Sequence, residues 1–284
     1  MKPAISNQQS AINMLPPVAE MMRAAGLEPK KQLGQNFLFD LNLTGRIARA
    51  VPDIENSVVV EVGPGPGGLT RALLQAGAKR VIAIEKDKTT APILEQIAAA
   101  SSGRLEIIFG DALKIFSLKN QQSAIPNQQF SICSNLPYNI GTELFVRWLH
   151  MMAASRIASM TLMFQREVAE RIVAKVGDAQ YGRLAVLTAL AADAKILFDV
   201  PNTAFVPRPK VQSAVVWIMP RRALKISELE KIERATAKLF GQRRKMIRGI
   251  VPGVDWARFG IKGTERAEEL SPEKFAQIAA ADVI

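Results

Sequence analysis

The sequence predicts an α/β fold: a mostly parallel sheet covered by helices on both faces, followed by a small all-helical domain. Three observations predict it. Short β-branched runs alternate with helical stretches between residues 58 and 135. Those runs are mainly apolar at consecutive positions, not at every second one, as strands buried on both faces require. Beyond Pro220 the strand signal stops and a helical period takes over. The boundary near residue 220 separates 1–220, an α/β domain with an N-terminal arm, from 221–284. A chain of 284 residues is longer than the roughly 100–200 of one typical domain.

The elements follow in order. Residues 1–30 read as a polar tail and a short helix near Pro17–Ala25, stopped by Gly26. Lys30–Leu38 has no clean period and reads as a loop. Asp40 is placed to cap the next helix, with Leu41, Ile47 and Val51 among its apolar positions. Val58–Val62 is the first strand of the alternation, and it stops at Gly63-Pro64-Gly65-Pro66-Gly67-Gly68. A helix over Leu69–Ala76 closes at Gly77, and Val81–Glu85 is the next strand. A helix over 91–100, a strand over Leu105–Phe109 ending in Gly110-Asp111, and a strand over Phe130–Ser134 ending in Asn135 complete the series. Ala194–Val200 and Gln212–Met219 read as a terminal hairpin joined by a Pro-rich segment. In the last part Ser227 can cap a helix with Leu229, Ile232, Ala235 and Leu239 on one face.

Composition excludes several functions. One cysteine, Cys133, forms no internal disulfide, so a stapled secreted fold is out. One histidine, His150, leaves a His-based metal site or a Ser/His triad without its parts, and no metal is expected. The N-terminus has no apolar core for a signal peptide, and no run reaches the roughly 18 residues of a membrane span. These point to a cytoplasmic protein with no membrane role. Cys133 and Met151, Met152, Met160 and Met163 read as core, and His150 as a helix-end or solvent-facing residue.

The formal charge of +11 calls for an anionic partner. It is uneven: residues 221–248 carry ten basic against three acidic side chains. Arg243, Arg244, Lys245 and Arg248 form its densest part. They are the candidates for tracking a phosphate backbone from one C-terminal helix, the alternative being a solvated face.

Ligands of open α/β sheets bind outside the carboxyl ends of the strands. Here successive strand ends carry Gly63, Glu85, Asp111 and Asn135. Gly63, Gly65 and Gly68 fit G-x-G-x-x-G, the dinucleotide fingerprint, with Glu85 at the distance of a ribose carboxylate. Pro64 and Pro66, however, remove two N–H donors from the loop, and Glu61 sets a negative charge beside it. Both features suit a sulfonium and an ammonium better than a pyrophosphate. S-adenosylmethionine is therefore expected over NAD, with Glu85 on the ribose hydroxyls and Asp111 accepting from the adenine amine.

Asn135-Leu136-Pro137-Tyr138 is the sharpest signal. The exocyclic amine of adenine is a poor nucleophile because its lone pair is delocalised into the ring. The Asn135 amide oxygen and the Leu136 carbonyl can accept both amine protons and draw the nitrogen toward tetrahedral geometry. Pro137 fixes the turn and Tyr138 can stack on the base. Orientation and fixed dipoles do this work without a histidine base, and the base leaves its stack to enter.

Taken together these motifs resemble the rRNA adenine N6-dimethyltransferases. Gln35-Asn36-Phe37-Leu38, Glu61–Gly67, Glu85, Gly110-Asp111-Ala112, Asn135–Ile140 and Phe205–Ser213 match in order, over about residues 30–250. The likeness is strongest to the bacterial small-subunit type. The resemblance implies a seven-stranded Rossmann-like methyltransferase sheet. It implies cofactor contacts from Gln35, Asn36, Leu38, Glu61, Gly63, Gly65, Glu85, Asp111 and Asn135, and a base held between Tyr138 and Phe205. It further implies that two adjacent adenines near the 3′ end of 16S rRNA are the substrate, in a pre-30S particle, with a monomeric enzyme. The competing functions are a 23S rRNA methyltransferase of the macrolide-resistance type, an NAD-linked oxidoreductase, and an assembly factor without catalysis. The N-terminal extension and the Gln-rich stretch 119–129 carry no assigned role.

Overall fold

The computed structural model describes residues 11–29, 36–116, 128–221 and 225–284. Seven strands form one sheet: β2 (Val58–Val62), β3 (Arg80–Glu85), β4 (Leu105–Phe109), β5 (Phe130–Asn135), β6 (Ile157–Gln165), β7 (Ala192–Val200) and β9 (Ser213–Pro220). Their spatial order is β4-β3-β2-β5-β6-β9-β7. β2 to β6 are parallel, and β9 runs antiparallel between β6 and β7. The order turns at β2, which starts the series and pairs with both β3 and β5, so a crevice opens above its carboxyl end. A two-residue strand β1 (Phe37–Leu38) pairs antiparallel with β8 (Phe205–Val206).

The expected seven-stranded, mostly parallel sheet with an antiparallel hairpin is thus present. β2 is buried at every position, which explains its valines on both faces and leaves Glu61 as a buried carboxyl among them.

On one face pack α1 (Val18–Ala24), α2 (Leu41–Ala48), α3 (Gly68–Gln75) and α4 (Ala91–Ala100), over a cluster that includes Ile47, Val59, Val81 and Cys133. Asp40 caps α2, accepting from the amides of Asn42 and Leu43. Ile47 and Val51 are buried as expected, but Leu41, in the first turn of that helix, is 57% exposed. The N-terminal arm closes this face. Ile12, Met21 and Met22 are buried in the cluster, and the buried Arg71 of α3 donates to the carbonyls of Ile12, Leu15 and Pro16.

On the other face lie α5 (Ala112–Ile115), α6 (Gly141–Ala153), α7 (Arg166–Val173) and α8 (Arg183–Ala191). α9 (Ile226–Phe240), α10 (Ile247–Ile250) and α11 (Pro272–Ala280) follow, and one apolar cluster runs from the sheet through α6 and α8 into them. Leu229, Ile232, Ala235 and Leu239 all point into it. Ser227 does not cap α9. The helix starts one residue before it, and the Glu228 side chain accepts from the Lys225 amide instead.

His150 is neither a cap nor solvent-facing. The last turn of α6 is covered by α9, so the ring is buried and its Nε2 meets Glu233 of that helix at 3.1 Å. Cys133, Met152, Met160 and Met163 are core residues, as expected.

Candidate active site

A cavity of about 160 Å³ opens at the carboxyl ends of β2, β3 and β5 and beyond β4. The expected residues Asn36, Leu38, Glu61, Gly63, Gly65, Glu85, Asp111, Asn135, Leu136, Pro137 and Tyr138 all line it. Gln35 lies outside the described residues.

The glycine loop is shaped by what it touches. Gly63, Gly65 and Gly67 all have positive φ, which L side chains adopt only with strain. A Cβ added at Gly65 would stand 2.7 Å from the Phe37 ring. The loop is tied across the sheet: the Gly65 amide donates to Glu85 Oε2 at 2.9 Å. Glu85 Oε1 accepts from the Lys86 and Asp87 amides, both at 2.7 Å. Three backbone donors hold this carboxylate rigid, while burial pushes its pKa up.

Glu61 is completely buried on β2, and desolvation raises its pKa to about 8, against the hydrogen bond from Thr70 Oγ1 at 2.6 Å and with help from the Glu85 charge. The cavity therefore carries a carboxyl group that takes on negative charge only reluctantly, unless a cation comes beside it.

Asp111 plays two parts. Its Oδ1 accepts from the Leu113 amide and caps α5. Its Oδ2 pairs with Lys86 Nζ at 3.0 Å, and that bond holds its pKa below the usual carboxylate value. Lys86 was not singled out from sequence. The signal for it is position: it follows Glu85 at a strand end.

On β5 the Asn135 Nδ2 donates to the Asn36 carbonyl at 3.1 Å, which leaves Oδ1 as the free acceptor. The Pro137 carbonyl accepts from the Ile140 and Gly141 amides and so closes the turn into α6. The Tyr138 hydroxyl is 2.9 Å from Ser213 Oγ on β9, which fixes the direction of the ring.

Phe205 stands elsewhere than expected. Its side chain is 2% exposed and sits in the apolar cluster below β1, and it does not line the cavity. The reason is the pairing of β8 with β1: it places Phe205 opposite Leu38 and turns the neighbouring Val206 outward.

The basic stretch is not one helix. α9 ends at Phe240, residues 241–244 form a turn, Met246 bridges to Arg266, and Arg248 sits in the separate α10. Arg243 is a tether: it donates to the Tyr181 carbonyl at 3.1 Å and pairs with Glu268 at 3.2 Å. Arg244, Lys245 and Arg248 are exposed, and their side chains make no hydrogen bond or ion pair with another described residue.

Among the described residues no group of three or more His, Cys, Asp or Glu side chains could hold a metal ion, and no helix is long and apolar enough to cross a membrane.

The family model for ribosomal RNA adenine dimethylase matches residues 26–281. The chain belongs to that family. Among its relatives is the ribosomal RNA small subunit methyltransferase A of Mesorhizobium japonicum, 51% identical over 274 residues, covering 94% of this chain and 98% of that one. The protein of the same name from Azorhizobium caulinodans is 52% identical over 277 residues, covering 95% and 94%. Among solved structures, a dimethyladenosine transferase from Plasmodium falciparum shares the fold, with a TM-score of 0.72 at 22% identity over 85% of this chain and 95% of that one. The 23S rRNA methyltransferase ErmE gives a TM-score of 0.61 at 26% identity, over 86% and 98%. In this rRNA adenine dimethylase the cavity lies at the carboxyl ends of the parallel strands. A carboxylate at the end of β3, another beyond β4, a proline-stiffened glycine turn and the buried Glu61 form a donor and acceptor set suited to an adenosine bearing a cationic tail.

Proposed function

We propose that this protein transfers methyl groups from S-adenosylmethionine to N6 of two adjacent adenines in a hairpin loop near the 3′ end of 16S rRNA. Each adenine is methylated twice, on a pre-30S particle in the cytoplasm, by a monomeric enzyme. One observation carries the reading. The Asn135-Leu136-Pro137-Tyr138 turn opens on the same cavity as Glu85 and Asp111, with its carboxamide already oriented by Asn36. The small-subunit names of relatives about half identical over nearly the whole chain support 16S over 23S rRNA.

In this mechanism Glu85 holds the ribose hydroxyls and Asp111 accepts from the cofactor's adenine amine. Glu61 balances the cationic tail. When bound, the cofactor supplies an electrophilic methyl group on its sulfonium. Asn135 Oδ1 and the Leu136 carbonyl accept hydrogen bonds from the two N6–H groups of the target base and turn the nitrogen lone pair toward that methyl, and each transfer releases one N6 proton to solvent. Tyr138, held by Ser213, gives the base a face to stack on. Because Asn135 is fixed before the base arrives, little reorganisation remains for the reaction itself. After the first methylation one N6 proton is left, enough for one of the two acceptors to hold the amine for the second. Arg244, Lys245 and Arg248 supply positive charge for the RNA backbone.

The test is labelling with radioactive S-adenosylmethionine and subunits that lack the modification. Label in small-subunit rRNA alone is expected. Label confined to 23S rRNA would overturn the assignment.

A further inference from the structure

We infer that Gln165 is a specificity residue for the target base: its carboxamide donates to a ring nitrogen of the flipped adenine. The inference rests on the function proposed above and adds a residue to that base site.

The geometry comes from the sheet. β6 lies beside β5 and runs two residues past the level of Asn135, whose partner is Met163. Gln165, two residues on from Met163, is therefore on the same face as Asn135. Its direct partner on β9 is Ser213. Opposite residues of an antiparallel pair stand about 4.5–5.5 Å apart at Cβ. Ser213 is also the residue that holds the Tyr138 hydroxyl. The ring offered for stacking therefore ends beside Gln165. Both side chains, with Pro137 and Thr142, line a recess of about 10 Å³, the size of a single water, next to the main cavity.

The Gln165 side chain is spare in every structural role around it. It occupies the N-cap position of α7 without capping it. No hydrogen bond from its carboxamide to another described residue is formed. A half-buried amide with two free donors, at the mouth of a base site, is complementary to a ligand edge made of acceptors. Adenine presents such an edge. Once Asn135 and Leu136 hold the N6 protons, what flanks the amine on the ring is N1 on one side and N7 on the other, both acceptors. On the N1 side guanine, which carries a proton there, would set donor against donor, whereas its N7 accepts as adenine's does.

The test combines variants with base analogues. Gln165→Ala and the near-isosteric Gln165→Glu, which can accept but not donate when ionised, are compared with wild type. The substrates are small-subunit particles whose 16S rRNA carries adenine, 1-deazaadenine or 7-deazaadenine at a target position. Methylation and binding of the particles without methyl donor are both measured. We expect both variants to lose about ten-fold in kcat/KM and to bind the particle less tightly, with S-adenosylmethionine affinity unchanged. One of the two deaza substitutions should cost wild type about ten-fold and cost Gln165→Ala little. Equal penalties in wild type and Gln165→Ala for both analogues would overturn the inference, as would wild-type behaviour of Gln165→Glu. A parallel loss of S-adenosylmethionine binding in both variants would assign Gln165 a structural role instead. Wild type on unsubstituted rRNA is the control for the underlying function: if it forms no dimethyladenosine, that reading fails first and by itself.

Discussion

The carboxamide nitrogen of Asn135 donates to the carbonyl oxygen of Asn36, 99 residues earlier in the chain, at 3.1 Å. This single bond decides which end of the amide faces the reacting amine. Aspartate at 135 would set an oxygen against the Asn36 carbonyl and lose the orientation. Asn135→Ala removes the acceptor altogether. Loss of one preorganised group of this kind costs about 10²–10³ in kcat. Both variants are expected to fall by at least that much in single-turnover methylation at saturating S-adenosylmethionine, while rRNA binding stays close to that of wild type. Near-normal turnover in Asn135→Ala would remove Asn135 from the mechanism.

Gly65 joins the loop to two partners at once, Glu85 through its amide and Phe37 through the space that a side chain would fill. Gly65→Ala is expected to weaken S-adenosylmethionine binding and to cost about 1–3 kcal/mol of stability from the strained φ and the crowded ring. Adding Phe37→Ala should relieve the crowding but not the strain, so the double variant should recover only part of the affinity. Calorimetric titration and thermal melting check both.

Glu61 gives a pH dependence with a definite sign. Its pKa rises from the ordinary 4.5 to about 8 on folding. Between those values the folded protein holds more protons than the unfolded chain, so this group makes stability fall as pH rises from about 4.5 to 8, and no further beyond. Glu61→Gln removes the dependence. Without cofactor, the variant should melt increasingly above wild type as pH rises through that window, and the gap should close toward pH 4. A constant gap would mean that Glu61 ionises normally.

The arginines of the basic stretch should separate into two kinds. Arg243→Ala is expected to lower the melting temperature, since the tether to Tyr181 and Glu268 goes with it. Arg244→Ala and Arg248→Ala should leave melting unchanged and weaken rRNA binding. Each should also flatten the log–log salt dependence by about 0.7–0.9 per lost phosphate contact. The measurement is rRNA affinity across a salt series beside a melting curve for each variant.

The strands and the cavity were legible in the sequence because they depend on local signals. The run Val58–Val62 breaks at Gly63, and the polar residues Glu85, Asp111 and Asn135 fall where parallel strands end. What sequence could not show depends on contacts far apart in the chain. The outward turn of Val206 and burial of Phe205 follow from the pairing of β8 with β1, about 170 residues away. His150 is buried because α9 lies over α6. The basic stretch shows no period that distinguishes a helix from a turn, and only the fold shows Gly241 ending α9 and Arg243 drawn back toward Tyr181. Lys86 and Gln165 do not stand out by residue type, each being an ordinary surface residue, and only the neighbouring Asp111 and Ser213 give them a place in the site.

The account rests on one chemical product. Mass analysis of nucleosides from 16S rRNA of unmodified small-subunit particles, after incubation with the protein and S-adenosylmethionine, tests it most directly. N6,N6-dimethyladenosine at two residues per rRNA is the predicted result, and its absence with Asn135→Ala the predicted control. Unmodified adenosine throughout, or methylation at any atom other than adenine N6, would contradict it.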